Sequence, residues 1–261
     1  MQEKDSTVTN ENNAIGVLVL DVGISLLQAG ASSSRIKTVM SRLAEVYHYM
    51  PHIIIGNKTV SVVLDDEHGN TIYNGTRSTS VHGIDFNVIS GINSLSWMAE
   101  EKTVPIHELR KELNMYRVLK SYPRIIVLCF VSLAGAAFCY NFGGSYIEMT
   151  IAFGATFCGL FIKQQLTKSK FNPYICTYAA ATIASLFIGF FHITGLINSP
   201  INPFSTCVLF LIPGVPLINA FVDLIDGNTT NGIIRGVNAL IHVLAIALGL
   251  LTTITLLNLT S

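Results

Sequence analysis

Residues 211–219 read Leu-Ile-Pro-Gly-Val-Pro-Leu-Ile-Asn, inside an apolar run from 204 to 222. Pro213 comes nine residues after Phe204, which is about 14 Å along a helix that rises about 1.5 Å per residue. That depth is close to the middle of a bilayer core about 30 Å thick. Proline removes a backbone donor and interrupts the helical ladder. The stretch therefore predicts either a simple proline kink or a helix that is broken halfway through a membrane.

The two alternatives have different functional meanings. A kink only shapes the packing of a span, whereas a broken helix exposes carbonyls and helix ends that many secondary transporters use to bind a substrate or ion. Asn219, one turn after the prolines, is the polar side chain expected to face the resulting cavity. The candidate substrate-binding or pathway residues are Pro213, Gly214, Pro216, Asn219 and Asn238.

The charge distribution around this stretch divides the chain into two parts. The 261 residues contain 16 basic and 16 acidic residues and have no net charge, and only 12% of them are charged, about half the usual share in soluble proteins. Of these 32 charges, 24 lie in residues 1–123 and eight in residues 124–261. The first part is typical of a soluble domain and the second of a membrane domain. Zero net charge gives no support to a nucleic-acid-binding protein.

Five apolar stretches in the second part are long enough to cross a bilayer as helices. We therefore predict an α-helical membrane protein, with an N-terminal cytoplasmic α+β domain in residues 1–122 and a transmembrane domain of five helices in residues 123–261. The predicted spans are 124–142, 145–163, 174–195, 204–222 and 237–258.

The basic residues that flank the spans predict the orientation, because cytoplasmic loops carry more Lys and Arg. They fall on alternate connections, and the connections 141–146, 196–203 and 259–261 contain none. This pattern predicts a cytoplasmic N-terminus and an extracytoplasmic C-terminus in the cell membrane. The residues that decide it are Lys120, Arg124, Lys163, Lys168, Lys170 and Arg235.

The N-terminal part alternates helical and strand patterns. An apolar helix is expected over 14–30, and a second helix follows with Ile36, Val39, Met40 and Leu43 on one face. Strand-like runs at 53–55, 59–64 and 71–73 surround turn residues at 65–70 and predict a hairpin. Two further helices are expected around 84–95 and after Pro105.

Ionisable side chains inside predicted spans are costly in lipid and are functional candidates for that reason. Glu148, His192 and His242 are possible proton carriers, although their positions near span ends also allow contact with water. Asp223, Asp226 and Arg235 bracket the last cytoplasmic loop and predict a structural or gating ion pair.

The soluble part offers little catalytic chemistry. Arg77 fits either a surface or interface arginine or a ligand-binding one, and Asp65 to Glu67 fit a solvated turn. No nucleophile motif or phosphate-binding loop is present. His48 and His52 are separated by Pro51, and all five cysteines lie in apolar runs without a C-x-x-C pair. We predict no enzyme activity, no metal site and no cofactor.

Several groups of residues along the chain form a family pattern. One is Ser121-Tyr122-Pro123-Arg124, followed by Phe138-Cys139 and Asn141-Phe142-Gly143-Gly144. Another is Pro213-Gly214-Val215-Pro216-Leu217-Ile218-Asn219-Ala220, followed by Asp223-Leu224, Gly227, Gly232 and Arg235. The remainder are Gln28-Ala29-Gly30-Ala31 with Arg35, Thr76-Arg77, and Gly83-Ile84-Asp85. With them the chain resembles the threonine/serine exporter family, and more closely its YjjP-type half.

The resemblance implies export of small carboxylates, namely threonine and serine in fused relatives or dicarboxylates such as succinate in split ones. A single set of spans matches the split form, in which a smaller membrane protein supplies the other half, and an oligomeric assembly is expected. Two other hypotheses stay open at this point. One is a membrane-anchored enzyme that acts near Arg77 and Asp65, and the other is a sensor or assembly subunit.

Overall fold

The computed structural model describes residues 2–80, 83–102, 104–118, 122–197 and 200–258, with side chains from residue 13 onward. Lys120 and Ser121, used above for orientation and for the family pattern, lie outside the described residues, as does the C-terminal stretch 259–261. The described chain groups into two compact units: Met1–Lys120 with Val215–Gly236, and Ser121–Gly214 with Val237–Ser261. We call them the N-terminal unit and the helical unit.

Four helices of the N-terminal unit come from the first 120 residues. They are α1 (Gln2–Gln28), α2 (Ser33–Val46), α3 (Phe86–Lys102) and α4 (Ile106–Val118). Helix α1 begins well before the predicted residue 14, and it ends before Gly30, whose φ of +79° is a conformation that glycine adopts without strain. Ser32 caps α2 by accepting a hydrogen bond from the Arg35 backbone N–H.

A three-stranded antiparallel sheet completes this part of the unit. Its strands are β1 (Met50–Ile55), β2 (Thr59–Asp65) and β3 (Thr71–Ser78), in the order β1-β2-β3. The predicted hairpin between β2 and β3 is confirmed, with its turn at residues 66–70. Val60, Val62 and Leu64 alternate toward the buried side of β2.

The core of the N-terminal unit is formed where the sheet and the four helices bury their apolar faces. Helix α2 contributes Ile36, Val39, Met40 and Leu43, so the helical face predicted from their spacing is confirmed. Leu18, Leu26, Ile92 and Leu109 from the other helices complete the same cluster.

The helical unit contains α5 (Arg124–Asn141), α6 (Tyr146–Lys168), α7 (Pro173–Ile193) and α8 (Ile201–Cys207), followed by a 3-10 turn at Leu209–Leu211. Most of α10 (Thr229–Leu256) also belongs to it, whereas α9 (Gly214–Ile225) belongs almost entirely to the N-terminal unit. Residues 215–236, assigned above to the membrane domain from sequence, thus pack as part of the N-terminal unit. The domain boundary at 122/123 stays a prediction.

Small residues allow the helices of the helical unit to approach closely, as is common in membranes. A Cβ added at Gly159 of α6 would lie 2.9 Å from the Ala180 carbonyl oxygen of α7, and one added at Gly249 of α10 would lie 2.7 Å from the Ala181 Cβ. Because only residues 169–172 connect α6 to α7, these two helices run antiparallel.

Helices α7 and α10 run in the same direction. The Tyr174 hydroxyl donates a hydrogen bond to Asn238 Oδ1, and further along both helices the Ser185 and Thr253 hydroxyls lie 2.6 Å apart. The residue numbers of the hydrogen-bonded partners therefore rise in the same direction along the two helices. The chain between them must pass from one end of the helical unit to the other.

Four described helices are long and apolar enough to cross a bilayer, namely α5, α6, α7 and α10. The fourth predicted span, 204–222, is not a continuous helix in the structure. Residues 201–225 instead form a pair of helices with a bent break between them, which fits either a broken span or a re-entrant loop.

Candidate functional site: a broken apolar segment and its polar anchor

The break in the apolar segment is located at Ile212 and Pro213. Ile212 has an extended backbone, with φ −62° and ψ 125°, which is the conformation that a following proline favours. Pro216, by contrast, lies in the first turn of α9, where a missing donor costs little. Pro213 therefore ends one helix and Pro216 helps to begin the next. Of the two alternatives left open by the sequence, the structure has the break.

Helix α9 carries two polar side chains four residues apart on one face. Asn219 donates a hydrogen bond from Nδ2 to the Gly30 carbonyl oxygen at 2.9 Å. Gly30 lies in the short loop between α1 and α2. The Asn219 amide nitrogen, predicted to face a cavity, is thus bonded to backbone within the N-terminal unit.

Asp223 is fully buried, with none of its surface exposed. It accepts hydrogen bonds from the Ser33 backbone N–H at 2.8 Å and from the Ser33 hydroxyl at 3.2 Å. Its second stabilising contact is an ion pair with Arg235, whose Nε lies 3.2 Å from Asp223 Oδ2. Ser33 is the first residue of α2, and the N-terminal end of a helix favours a negative charge. The buried carboxylate is therefore compensated on two sides.

Arg235 and Asn231 connect the start of α10 to the same loop. The Arg235 guanidinium also donates to the Ala31 carbonyl oxygen at 2.8 Å. Asn231 Nδ2 donates to the Ser33 hydroxyl at 3.0 Å and to the Ile55 carbonyl oxygen at 2.8 Å. We call this set the anchor network; its residues are Gly30, Ala31, Ser33, Ile55, Asn219, Asp223, Asn231 and Arg235.

The anchor network holds both arms of the turn between α9 and α10 on the N-terminal unit. Gly232 of α10 faces α9, and a Cβ added there would be 2.9 Å from the Ala220 carbonyl oxygen. Lys37 adds a hydrogen bond to the Asn228 side-chain oxygen at 2.7 Å. Residues 215–236 are thus fixed by packing and by buried polar contacts together.

Other predicted site residues of the N-terminal unit lie outside the anchor network. Asp226 is exposed and does not take part in the predicted ion pair. Arg77 forms an ion pair with Asp21, which Arg117 also contacts at 3.5 Å. Asp65 accepts hydrogen bonds from the Thr71 hydroxyl and from the His52 ring. The groups on which an enzyme near Arg77 and Asp65 would depend are therefore engaged in structural contacts.

Two predicted residues of the helical unit meet on neighbouring helices. The Asn238 side chain accepts the hydrogen bond from Tyr174 described above, and His242 Nδ1 is hydrogen-bonded to the Thr177 hydroxyl at 3.0 Å. The His242 and Tyr174 rings are 4.8 Å apart between centroids. These side chains form one polar cluster between α7 and α10.

The remaining two predicted proton carriers make helix-end contacts. Glu148 accepts a hydrogen bond from the Ser145 backbone N–H at 2.7 Å as part of a capping box at the start of α6. The His192 ring donates to the Ile197 carbonyl oxygen at 3.0 Å, just beyond the end of α7. Among the described residues there is no group of three or more metal-ligating side chains.

The family model described as "Putative threonine/serine exporter" matches residues 17–257, which is most of the chain. The chain belongs to the threonine/serine exporter family. The resemblance noted from the residues is confirmed, and the family assigns the chain to membrane transporters that pass through the bilayer several times.

Two relatives within this exporter family carry the same name. The chain is 27% identical over 251 residues to the "Probable succinate transporter subunit YjjP" of Klebsiella aerogenes, covering 95% of each chain. It is 28% identical over 252 residues to the protein of that name from Escherichia coli K12, covering 95% of this chain and 96% of the relative. No solved structure matches the chain.

Sequence reasoning found one side of the anchor network and missed the other. Asn219, Asp223 and Arg235 were candidates because they are polar groups beside or inside apolar sequence. Ser33 and Asn231 were not, because serine and asparagine are common in loops and at helix starts. Gly30 and Ala31 entered only as part of the exporter pattern, and that pattern was the available signal.

Proposed function

We propose that the chain is one subunit of a secondary transporter that exports small amino acids such as threonine and serine, or small dicarboxylates such as succinate, from the cytoplasm. The single observation that carries this proposal is the break at Ile212–Pro213 in an apolar segment of an exporter-family chain. Broken helices expose backbone groups that can bind a solute or ion, and in lipid they are tolerated only when buried in protein or beside water.

The direction of the helices supports five crossings. Because α7 and α10 run in the same direction, the chain between them crosses the helical unit an odd number of times, and residues 201–225 are its apolar part. A single broken span accounts for this, whereas a re-entrant loop would return the chain to the side it left. The two ends of the chain would then lie on opposite sides of the membrane.

The charges of the connecting loops support a cytoplasmic N-terminus. Arg124, Lys168 and Lys170 flank the connections on one side, and the loop between α5 and α6 has no Lys or Arg. The anchor network would then lie on the cytoplasmic side. The C-terminus would be extracytoplasmic.

We assign the break the role of a hinge. It coincides with the point where the chain passes from the helical unit to the N-terminal unit, between Gly214 and Val215. Gly214 has open space around the position of a Cβ, so packing does not fix it.

A second membrane subunit is part of the proposal. Both relatives are named as subunits, and the family resemblance implies fused members with roughly twice as many spans, in line with transporters built from repeats. We propose that a smaller membrane protein of the same family completes the pathway.

Efflux from cells that express the chain with its partner subunit tests the proposal. Radiolabelled succinate and threonine are loaded, and release is compared for the wild type, Pro213→Ala, Asn219→Ala and the exposed control Asp226→Ala at equal membrane content. We expect the first two variants to lose most of the efflux and the control to keep it. Unchanged efflux from Pro213→Ala and Asn219→Ala, or full efflux with the partner subunit alone, would contradict the proposal.

A further inference from the structure

Lys163 is a charged side chain on the packed face of a membrane helix. It lies one turn beyond Gly159, where an added Cβ would be 2.9 Å from the Ala180 carbonyl oxygen and from the Ala184 Cβ of α7. Because α6 and α7 are antiparallel, the next turn of α6 faces the preceding turn of α7, at Cys176. The lysine is partly buried.

The charge of Lys163 has no counter-ion in the described part of the helical unit. Within residues 121–214 and 237–261 the sequence has one acidic residue, Glu148. Glu148 precedes Lys163 by 15 residues on the same helix, about 22 Å along its axis, and its carboxylate is used in the capping box. In the described residues the Lys163 ammonium makes neither a hydrogen bond nor an ion pair. An unpaired charge in a span is costly unless it meets a partner there.

Polar groups of α7 and α10 lie at the same end of the helical unit as Lys163. Tyr174 and Thr177 lie on the turns of α7 next to Cys176, and they bond to Asn238 and His242 of α10. Helices α6, α7 and α10 also share one apolar cluster, in which Ala155, Ala180 and Ile246 are buried together. The Tyr174 hydroxyl holds the Asn238 side chain in place, and the Asn238 amide, the His242 ring and a nearby ammonium are groups that can donate to a carboxylate.

We propose that Lys163, together with Tyr174, Asn238 and His242, forms a binding site for the carboxylate of the transported solute. The proposal rests on the proposed transport function and names where that solute binds. Lys163 lies five residues before the end of α6, about 8 Å along the helix. The site is therefore close to the end of the span that is predicted to face the cytoplasm, where an exported solute enters.

Lys168 is the matched control for this site. It is the last residue of α6 and is exposed, as expected for a lysine that extends toward water and lipid head groups. Lys163 differs because it lies on the face that packs against α7. If Lys163 also paired with lipid phosphate, it would behave like Lys168 in a comparison of lipids with and without phosphate.

Ligand-induced stabilisation measures the site directly. All five cysteines lie in residues 129–207 of the helical unit, and three of them are buried, so a thiol-reactive dye reports the melting of that unit. The full chain in nanodiscs is melted with increasing succinate, threonine or the uncharged analogue succinamide. Stabilisation by a ligand rises with its concentration relative to the dissociation constant.

We expect succinate or threonine, but not succinamide, to stabilise the wild type. Lys163→Gln should weaken that binding roughly 10- to 100-fold, the loss expected for a hydrogen bond to a charged group. Lys163→Arg should keep part of it, and Lys168→Gln should bind like the wild type. Equal responses of Lys163→Gln and the wild type, or no stabilisation of the wild type by either acid, would overturn the proposal.

Two further measurements separate the possible causes of a negative result. In nanodiscs of phosphate-free galactolipid, succinate should still stabilise the wild type. If succinate has no effect, and the wild type and Lys163→Gln differ in melting temperature only in phosphatidylglycerol, the lysine binds lipid and the proposal is overturned. Efflux is measured in parallel. Normal efflux from Lys163→Gln would remove this site and leave the transporter proposal standing, whereas absence of efflux from the wild-type pair would remove the transporter proposal itself.

Discussion

Asp223 and Lys163 are both charged side chains in apolar surroundings, but their charges are balanced in different ways. Asp223 is completely buried and has an arginine, a backbone N–H and a hydroxyl as partners within its own unit. Lys163 is partly buried between two helices, and in the described part of its unit no carboxylate reaches it. One charge is compensated by the protein and the other is not.

This difference separates an architectural charge from a ligand-binding one. A buried ion pair contributes little net stability against an apolar replacement, but removing one partner leaves the other buried and unpaired at a large cost. The Asp223–Arg235 pair therefore specifies how the turn between α9 and α10 is attached. An uncompensated cation is expected to lower the stability of its own unit, and a solute anion can supply the counter-ion that the unit lacks.

The largest expected effect comes from breaking the compensated pair. Asp223→Ala leaves Arg235 and both Ser33 donors without their carboxylate, and we expect the free energy of unfolding of the N-terminal unit to fall by about 3–5 kcal/mol. The measurement is chemical denaturation followed by the fluorescence of Trp97. Trp97 is the single tryptophan of the chain and lies in α3, so its signal reports that unit.

Two controls accompany the Asp223 variant. Asp226→Ala removes an exposed carboxylate three residues later and should change stability by less than about 0.5 kcal/mol. The double replacement Asp223→Leu with Arg235→Met removes both charges and should recover part of the loss, since no unpaired ion remains. A wild-type denaturation curve for Asp223→Ala would contradict the role assigned to the pair.

The sequence predicted local structure better than long-range contacts. The helical face of α2 and the β2–β3 hairpin follow from spacings of a few residues, and both are confirmed. The bond between Ser33 and Asp223 joins positions 190 residues apart, and no local pattern in the sequence specifies such a partner. The loop between α1 and α2 was expected between two predicted helices, but the only sign of its further importance was the family pattern.

The apolar segment shows the same limit. Its composition predicted a span, and Pro213 predicted a disturbance in it, but a kink and a break differ in the backbone of one residue, Ile212. Its second half was assigned to the membrane domain because Leu, Ile and Val dominate it. Asn219 and Asp223 bond that half to residues of the N-terminal unit, and average hydropathy gives no sign of such partners for buried polar groups.

A smaller loss is expected from crowding the turn that carries the compensated pair. Gly232→Ala would place a Cβ 2.7 Å from Leu224 Cγ and 2.9 Å from the Ala220 carbonyl oxygen, and such overpacking costs about 1–3 kcal/mol. Gly236→Ala is the matched control, because its Cβ would meet only the Ala220 Cβ at an ordinary 3.8 Å. If both variants denature alike by Trp97 fluorescence, close packing does not hold the two arms together.

Removing the uncompensated charge should act in the opposite direction. Lys163→Met replaces an unpaired ammonium with an apolar side chain of similar length, and we expect the helical unit to gain about 1 kcal/mol, less than the cost of a lysine at the centre of a span. Thiol-dye melting without solute measures it. A clear loss of stability would show that Lys163 has a partner within the protein and would remove the contrast with Asp223.

The smallest expected effect on stability concerns Asp66, a surface carboxylate that can be compared with the buried Asp223. In the turn between β2 and β3, hydrogen bonds from the Asn70 side chain, the Asn70 backbone N–H and the His68 backbone N–H lower the pKa of Asp66. Because its pKa in the folded state is below that in the unfolded state, its stabilisation is present at neutral pH and is lost as the pH falls through the folded-state pKa.

Asn70→Ala removes the largest cause of that lowering. The decrease in stability below about pH 5 should therefore become slightly shallower, and Asp66→Asn should remove the Asp66 contribution altogether. Both changes should be far smaller than the loss caused by Asp223→Ala in the same Trp97 assay, because water can replace the partners of a surface carboxylate but not those of a buried one. If the Asp66 variants matched Asp223→Ala, hydrogen bonding and not burial would set the cost, and the contrast between compensated and uncompensated charges would lose its physical basis.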